Sequence, residues 1–255
     1  MSLHLRQVAL VARDLDQVVD DLCAVFDLAV GYNDPAIGSL QLHNAVIPVG
    51  EEFLEVVAPL VEGITADRFL HRRGGDGGYM LIFQTDDHPT RRQRVDALGV
   101  RVVAQFNGDG FTNMQLHPAD TGGTFLEVDL QVGELEWHPA GPDWRTSIRT
   151  DVATAIVGAT VQCSDPAAVS ARWSEILELP VVEGVTPTGA EAFVIEADGS
   201  TIRFAHPVDE RGDGLAACEV AVRRVGDVID RARERSLECG ESWVMIGGVR
   251  FDLIS

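Results

Sequence analysis

The sequence predicts an α+β fold assembled from four copies of one strand–helix–strands module. The tetrapeptide Phe-Leu-Glu-Val occurs at 53–56 and again at 125–128, an offset of 72 residues, and the same offset carries Asp14 onto Asp86. In both copies 39 residues separate the aspartate from the tetrapeptide, so the copies need no net insertion. A repeat at a fixed spacing indicates a structural unit that is used more than once.

The first copy reads as a strand, a helix and two further strands. Residues 7–12 are apolar and rich in branched side chains, which predicts a strand, and Asp14 stands where a helix N-cap is expected. Apolar residues then recur at helical spacing from Leu15 to Phe26, and we expect the helix to stop near Gly31. Two strands are predicted at 39–49 and 52–58.

The second copy repeats this order. It predicts a strand at 79–85, a helix over about 89–98, and strands at 100–106, 111–117 and 124–130.

Two looser copies follow in the second half of the chain. Residues 131–150 contain Trp137, Trp144 and several Pro and Gly residues that interrupt every periodicity, which indicates a connector. The third copy has a predicted strand at 159–163, a cap at Asp165, a helix and strands at 191–196 and 201–206. The fourth has a strand at 215–222, a helix over about 225–236 and a final hairpin-like piece at 242–254.

Composition narrows the classes of function. The formal net charge is −20, from 20 basic and 40 acidic residues, and there is no basic run, so nucleic acid is excluded as an expected partner. No apolar stretch suits a membrane span and no signal segment is visible, which favours a cytoplasmic protein without membrane contact. The four cysteines lack paired spacing and are predicted to be free thiols.

The order strand, aspartate, helix and strands ending in Phe-Leu-Glu resembles the vicinal-oxygen-chelate superfamily, which contains glyoxalase I, bleomycin-resistance proteins and type I extradiol dioxygenases. The resemblance implies a glyoxalase-like protein whose modules fold in pairs, with mixed and antiparallel sheets curled around a cup. We therefore expect one paired domain over 1–131, a connector over 132–149, and a degenerate paired domain over 150–255 whose last module is short.

The resemblance also implies where metal ligands lie, on the first and last strands of each module. Those positions are Gln7 and Glu55 in the first copy and Tyr79 and Glu127 in the second, with 48 residues between the members of each pair. If Asp87 caps the second helix instead, the first-strand position becomes Met80. None of these residues is the histidine that the resembling metalloenzymes hold on the first strand.

The chemistry of these side chains allows two readings. Gln7, Glu55 and Glu127 are the expected ligands of one divalent ion (zinc, manganese, magnesium or iron), or there is no metal. Without a metal, two neighbouring carboxylates cannot both ionise cheaply, so one would have a raised pKa and act as acid or base. Tyr79, whose ordinary pKa is about 10, would donate a hydrogen bond to a substrate oxygen.

The C-terminal half offers different residues at the corresponding places. Gly158 and Ala217 lie at the first-strand positions, and Arg203 and Asp252 at the last-strand positions. We expect Arg203 and Asp252 to neutralise each other and this half to be structural. By contrast, the strand period of two puts Asp129 on the same face as Glu127, within a partly apolar wall.

Two functions follow from the resemblance, and a structural or regulatory scaffold stays open beside them. The first is a glyoxalase-like enzyme that moves a proton next to a carbonyl group, as isomerases and lyases do, with Glu55, Glu127 and Tyr79 as catalytic residues in an N-terminal cup. The second is a metal-free binding protein of the bleomycin-resistance type. In either case the partner is a small molecule, and the chain is a monomer or a homodimer.

Overall fold

The computed structural model describes residues 2–108, 110–133 and 137–255, which form fifteen strands and five α-helices. The strands are β1 (Leu3–Val11), β2 (Leu42–Val49), β3 (Glu52–Pro59), β4 (Gly77–Thr85), β5 (Val102–Ala104), β6 (Asn107–Gly108), β7 (Phe111–Leu116), β8 (Phe125–Gln131), β9 (Ala153–Gln162), β10 (Val181–Val185), β11 (Glu191–Ala197), β12 (Ser200–Ala205), β13 (Gly214–Val222), β14 (Trp243–Ile246) and β15 (Val249–Ile254). The helices are α1 (Leu15–Phe26), α2 (Thr65–Arg73), α3 (His88–Ala97), α4 (Pro166–Leu177) and α5 (Val225–Glu234).

The strands form two mixed sheets. The first has the order β2-β3-β1-β4-β8-β7-β5 with β6 beside β7, and the second has the order β10-β11-β12-β9-β13-β15-β14. In all four modules the first strand runs parallel to the last, as β1 does to β3, β4 to β8, β9 to β12 and β13 to β15. The predicted α+β fold of four modules, with the fourth the shortest, is confirmed.

Helix α1 begins where its sequence predicts and ends earlier. The Asp14 carboxylate accepts a hydrogen bond from the backbone N–H of Gln17 at 3.1 Å and so caps the first turn. The helix ends at Phe26, four residues before the expected stop, because Asp27 adopts the left-handed conformation with φ of 56°. Its apolar face is buried as expected.

Helix α3 settles which residue corresponds to Gln7. Its cap is Asp87, which accepts from the backbone N–H of Thr90 at 3.2 Å, and not Asp86. The strand register agrees, because Met80 lies beside Phe125 in the second module as Gln7 lies beside Phe53 in the first. The assignment of Tyr79 to the Gln7 position was therefore wrong, and Met80 occupies it.

Several elements lie outside the sequence prediction. Helix α2 and strand β10 were not predicted, and residues Pro35–Leu40 form a 3₁₀ helix where the second strand was expected to begin. The N-cap position of α2 is Ile64, which offers no capping side chain, so the helix lacks an N-terminal signal in the sequence.

The chain divides into two compact units, each of which contains pieces of both halves. Unit 1 comprises Met1–Arg6, Tyr79–His138 and Gly158–Leu215, and unit 2 comprises Gln7–Gly78, Pro139–Val157 and Ala216–Ser255. The expected domain limits at 131 and 150 stay a prediction, and residues 134–136 of the expected connector lie outside the described residues.

The aromatic core of each unit joins modules from the two halves of the chain. In unit 1 the Trp173 ring lies 6.4 Å from that of Phe83 and 5.3 Å from that of Phe204, and its Nε1–H donates to the carbonyl oxygen of Thr121 at 2.9 Å. In unit 2 the rings of Phe26 and Phe251 lie 5.4 Å apart. Such edge-on aromatic contacts bury large apolar areas.

Two further findings bear on the composition. All four cysteines are free thiols, as predicted. Among the described helices, none has the length and apolar character needed to cross a membrane.

Candidate active site

One position recurs in all four modules and carries a different chemistry in each half. It lies on the last strand, beside the first-strand residue that stands five residues before the helix cap. The pairs are Ala9 with Glu55, Ile82 with Glu127, Thr160 with Arg203, and Glu219 with Asp252. The candidate site residues therefore follow from strand register in the way that the repeat predicts.

The Glu55 site consists of Glu55, Gln7 and Asn44 in unit 2. The Glu55 side chain is buried, and both of its oxygens accept amide hydrogen bonds, from Gln7 Nε2 at 2.8 Å and from Asn44 Nδ2 at 2.6 Å. The backbone N–H of Asp34 donates to Asn44 Oδ1 at 2.9 Å. Since that bond occupies the amide oxygen, the amide nitrogen must face Glu55.

Burial raises the pKa of Glu55 above its ordinary value of 4.5. The hydrogen bonds from Asn44 and Gln7 favour the charged form and oppose this rise, whereas the nearby charge of Asp34 adds to it. A buried acid whose pKa is raised in this way is suited to exchange protons near neutral pH.

The Glu127 site consists of Glu127, Asn113, Gln115 and Asp129 in unit 1. The Glu127 oxygens accept from Asn113 Nδ2 at 3.0 Å and from Gln115 Nε2 at 3.2 Å. The backbone N–H of Phe106 donates to Asn113 Oδ1 at 2.7 Å, so this amide is oriented as Asn44 is. The two asparagines are also equivalent in register, each lying beside the residue two places after its glutamate.

Asp129 shares the face of Glu127 and is fully buried. Its carboxylate oxygens accept no hydrogen bond from the described residues. Burial, followed by the negative charge of Glu127, raises the pKa of Asp129 well above its ordinary value of 3.8. A neutral Asp129 has a proton that it can donate to Glu127, which the ionised form lacks.

Tyr79 and Met80 lie beside the Glu127 site in unit 1. The Tyr79 ring is 4.9 Å from the ring of Phe125, and the side chain is 8% exposed. Gln115 Nε2 also lies 3.5 Å from Met80 Sδ. Met80 therefore replaces the amide of Gln7 with a weak sulfur acceptor, and Gln115 supplies the second amide in its place.

Comparison with known proteins gives matches in structure alone. No family model matches the sequence, and no curated protein matches it. A triple mutant of 4-hydroxymandelate synthase from Streptomyces coelicolor aligns with 97% of this chain and 78% of its own, with a TM-score of 0.70 and 15% identity. A hypothetical protein from Staphylococcus aureus aligns over 100% of both chains, with a TM-score of 0.65 and 12% identity.

4-Hydroxymandelate synthase is a vicinal-oxygen-chelate protein, and it shares the module arrangement over nearly all of this chain. The chain has the vicinal-oxygen-chelate fold. Methylmalonyl-CoA epimerase from Mycobacterium tuberculosis covers 52% of the chain at 23% identity, with a TM-score of 0.45. At these identities the likeness extends to the fold, because one fold supports many chemistries.

The vicinal-oxygen-chelate resemblance predicted a metal at Gln7, Glu55 and Glu127, and the donor atoms as arranged do not fit one. Amide nitrogens, and not amide oxygens, face both glutamates. Among the described residues no group of three or more His, Cys, Asp or Glu side chains could hold a metal ion. A tight site for a divalent ion needs more oxygen or nitrogen ligands than one buried carboxylate supplies.

The structure brings together some of the predicted residues. Gln7 and Glu55 are joined by a hydrogen bond, and Tyr79 and Glu127 belong to the same unit. Glu55 and Glu127 belong to different units, so their common site stays a prediction. In the C-terminal half Asp252 forms a two-point ion pair with Arg250 at 2.9 and 3.0 Å, and the Nε–H of Arg203 donates to the carbonyl oxygen of Val185 at 2.9 Å.

Sequence reasoning missed the side chains that hold the glutamates, namely Asn44, Asn113 and Gln115. Asn44 and Asn113 are 69 residues apart and not 72, because the hairpin between β7 and β8 is three residues longer than that between β2 and β3. The available signal was an asparagine inside an otherwise apolar strand, where an unsatisfied amide would be costly.

Proposed function

We propose that the protein is a small-molecule enzyme that moves a proton at a carbon next to a carbonyl group, with Glu55 and Glu127 as its acid and base. The observation that carries this proposal is the buried Glu55 carboxyl, held by two oriented amides, with its pKa raised by burial. Structural likeness to a superfamily that includes enzymes supports an enzyme without naming its reaction.

In the proposed reaction one glutamate takes the proton from the carbon and the other returns a proton to the intermediate. The amides of Asn44 and Asn113 hold the two carboxylates in fixed orientations, so little reorganisation is needed as charge moves. The Tyr79 hydroxyl donates a hydrogen bond to the substrate carbonyl oxygen while negative charge develops there. These roles require both glutamates to reach one substrate, and that shared site is part of the proposal.

Hydrogen–deuterium exchange tests this role without knowledge of the product. The protein is incubated in D₂O with a panel of 2-oxo acids, 2-hydroxyketones and 2-oxoaldehydes, and loss of the substrate Cα–H signal is followed by proton NMR. We expect catalysed exchange with at least one compound, and a loss of about 100-fold or more in Glu55→Gln and Glu127→Gln. Glutamine keeps the side-chain shape but cannot accept the proton.

Glu183→Gln is the matched control, since it makes the same change at an exposed strand residue and should leave exchange unchanged. Exchange that survives both site substitutions would contradict the assigned roles. The assay is run with and without EDTA, and a loss of exchange on chelation would restore the predicted metal.

A binding protein without chemistry is the second candidate. One observation favours it, because both oxygens of each glutamate already accept hydrogen bonds and could serve only to shape a binding wall. Saturable binding of a compound from the panel, without any exchange of its proton, would select this function.

A further inference from the structure

We propose that Arg203 and Thr160 form a second small-molecule site, on the second sheet, that binds the carboxylate group of an anionic ligand. It lies at the position that holds a glutamate in the first two modules, so the third module reverses the charge there. This inference does not depend on the proposed proton chemistry.

The two side chains share one face of the sheet. Arg203 on β12 lies beside Thr160 on the parallel strand β9. The intervening residue Phe204 points to the opposite face, where its ring packs 5.3 Å from that of Trp173 in α4. Because side chains alternate along a strand, Arg203 and Thr160 face away from the helix.

The Thr160 hydroxyl is the observation that points to a ligand. Thr160 is 4% exposed, and its Oγ1 forms no hydrogen bond with the described residues. A buried hydroxyl without a partner costs free energy, so such groups in native proteins usually have an explanation. A ligand oxygen beside Arg203 would accept this hydroxyl proton.

The surroundings define how large and how polar the ligand group is. Gln162, next on the same face of β9, is already held by Asp209 and Gly212, to which its Nε2 donates at 2.6 and 2.8 Å. Val194 and Ala205, each nearly buried, lie beside Arg203 and Gln162 in the neighbouring pairs of strands. A short polar group attached to an apolar body fits this mixture.

The charge balance selects a carboxylate over a phosphate. Arg203 is part-exposed, and its Nε–H bond to the Val185 carbonyl oxygen holds the guanidinium in place. A guanidinium matches the two oxygens of a planar carboxylate. One arginine balances a monoanion, whereas a dianionic phosphate would keep excess charge near Glu196, which accepts from Thr201 on the same strand.

Sodium acetate is the probe, and sodium phosphate at equal ionic strength tests the other source of an anion. The full chain is titrated with each salt, with sodium chloride as the ionic-strength reference, and followed by proton–nitrogen correlation NMR. We expect acetate to shift the Arg203 side-chain and Thr160 backbone signals saturably. Affinity should fall about tenfold or more in Arg203→Met, because a charge-assisted fork is lost, and severalfold in Thr160→Val.

Arg203→Lys separates charge from geometry, and Arg233→Met controls for the change in net charge at an exposed helix residue. Lysine should recover only part of the affinity, and the control should behave as the wild type. Unchanged binding in Arg203→Met, or shifts that never saturate, would overturn the site. Tighter binding of phosphate than of acetate would overturn the ligand class.

Discussion

Asp129 is fully buried beside Glu127, and its pKa is raised well above the ordinary value of 3.8. The folded protein therefore holds the Asp129 proton more tightly than the unfolded chain does. Stability from this group is fully present below pH 3.8 and is lost as the pH rises from there towards the raised pKa. The loss reaches at most about 1.4 kcal/mol for each pH unit.

Asp129→Asn should remove this pH dependence, because asparagine has the shape of the neutral acid and cannot ionise. Urea unfolding between pH 4 and pH 8 measures it, and we expect the substituted protein to gain stability over the wild type as the pH rises. Equal slopes in the two proteins would show that Asp129 is ionised in the folded state.

Asp120 provides a control of opposite sign. Its ion pair with Arg101 holds the pKa of Asp120 at about 2. A lowered pKa contributes stability above pH 3.8 that is lost as the pH falls towards 2. The stability difference between the wild type and Asp120→Asn should therefore shrink on acidification and not on alkalinisation.

At the scale of the element, an irregular segment holds each strand asparagine in place. The segment before β2 supplies the Asp34 N–H that orients Asn44, and the segment before β7 supplies the Phe106 N–H that orients Asn113. Such an arrangement spends a backbone donor on a side chain, which a strand interior rarely does without a function to support.

Asn44→Leu tests whether this arrangement tunes the acid. Since the Asn44 hydrogen bond lowers the pKa of Glu55 against the effect of burial, its removal should raise the pKa of Glu55 further. Carboxyl carbon NMR measures this titration. Asn107→Leu is the control, because the Asn107 side chain bonds Thr112, and a Glu55 titration unmoved by Asn44→Leu would refute the coupling.

The elements that the repeat spans were predictable, and those that depend on local backbone choices were not. Matched spacing placed β3, β8 and the α1 cap, since an N-cap aspartate and a helical apolar stripe are both visible in the residues. Asp86 and Asp87 are adjacent and chemically identical, so only the fold could decide which one caps α3. That one-residue ambiguity moved the prediction from Met80 to Tyr79.

At the scale of the whole molecule, four copies of one frame carry four different residues at a single structural position. The frame is specified by caps and apolar periodicity, which all four modules keep to some degree, while the position itself holds Glu55, Glu127, Arg203 or Asp252. Fold was therefore readable from the chain, whereas the chemistry of each site required knowledge of its neighbours across strands.

The segment predicted as a connector contributes to the cores of both units. Trp137 is 1% exposed in unit 1, where its ring lies 6.0 Å from that of Phe111. Trp144 is fully buried in unit 2, where its ring lies 4.8 Å from that of Phe53, on the strand that carries Glu55. Its prolines and glycines suggested a linker, but the two tryptophans are packed as core residues.

Trp144→Ala should therefore lower the free energy of unfolding by about 3–5 kcal/mol, the usual cost of deleting a buried aromatic ring. Urea unfolding followed by circular dichroism measures this without relying on tryptophan fluorescence. Leu40→Ala is the control, because Leu40 is 65% exposed and its truncation should cost no more than about 0.5 kcal/mol. Trp144→Phe should lose less than Trp144→Ala, since part of the ring contact with Phe53 remains. A loss below about 1 kcal/mol in Trp144→Ala would mean that the segment serves only to connect.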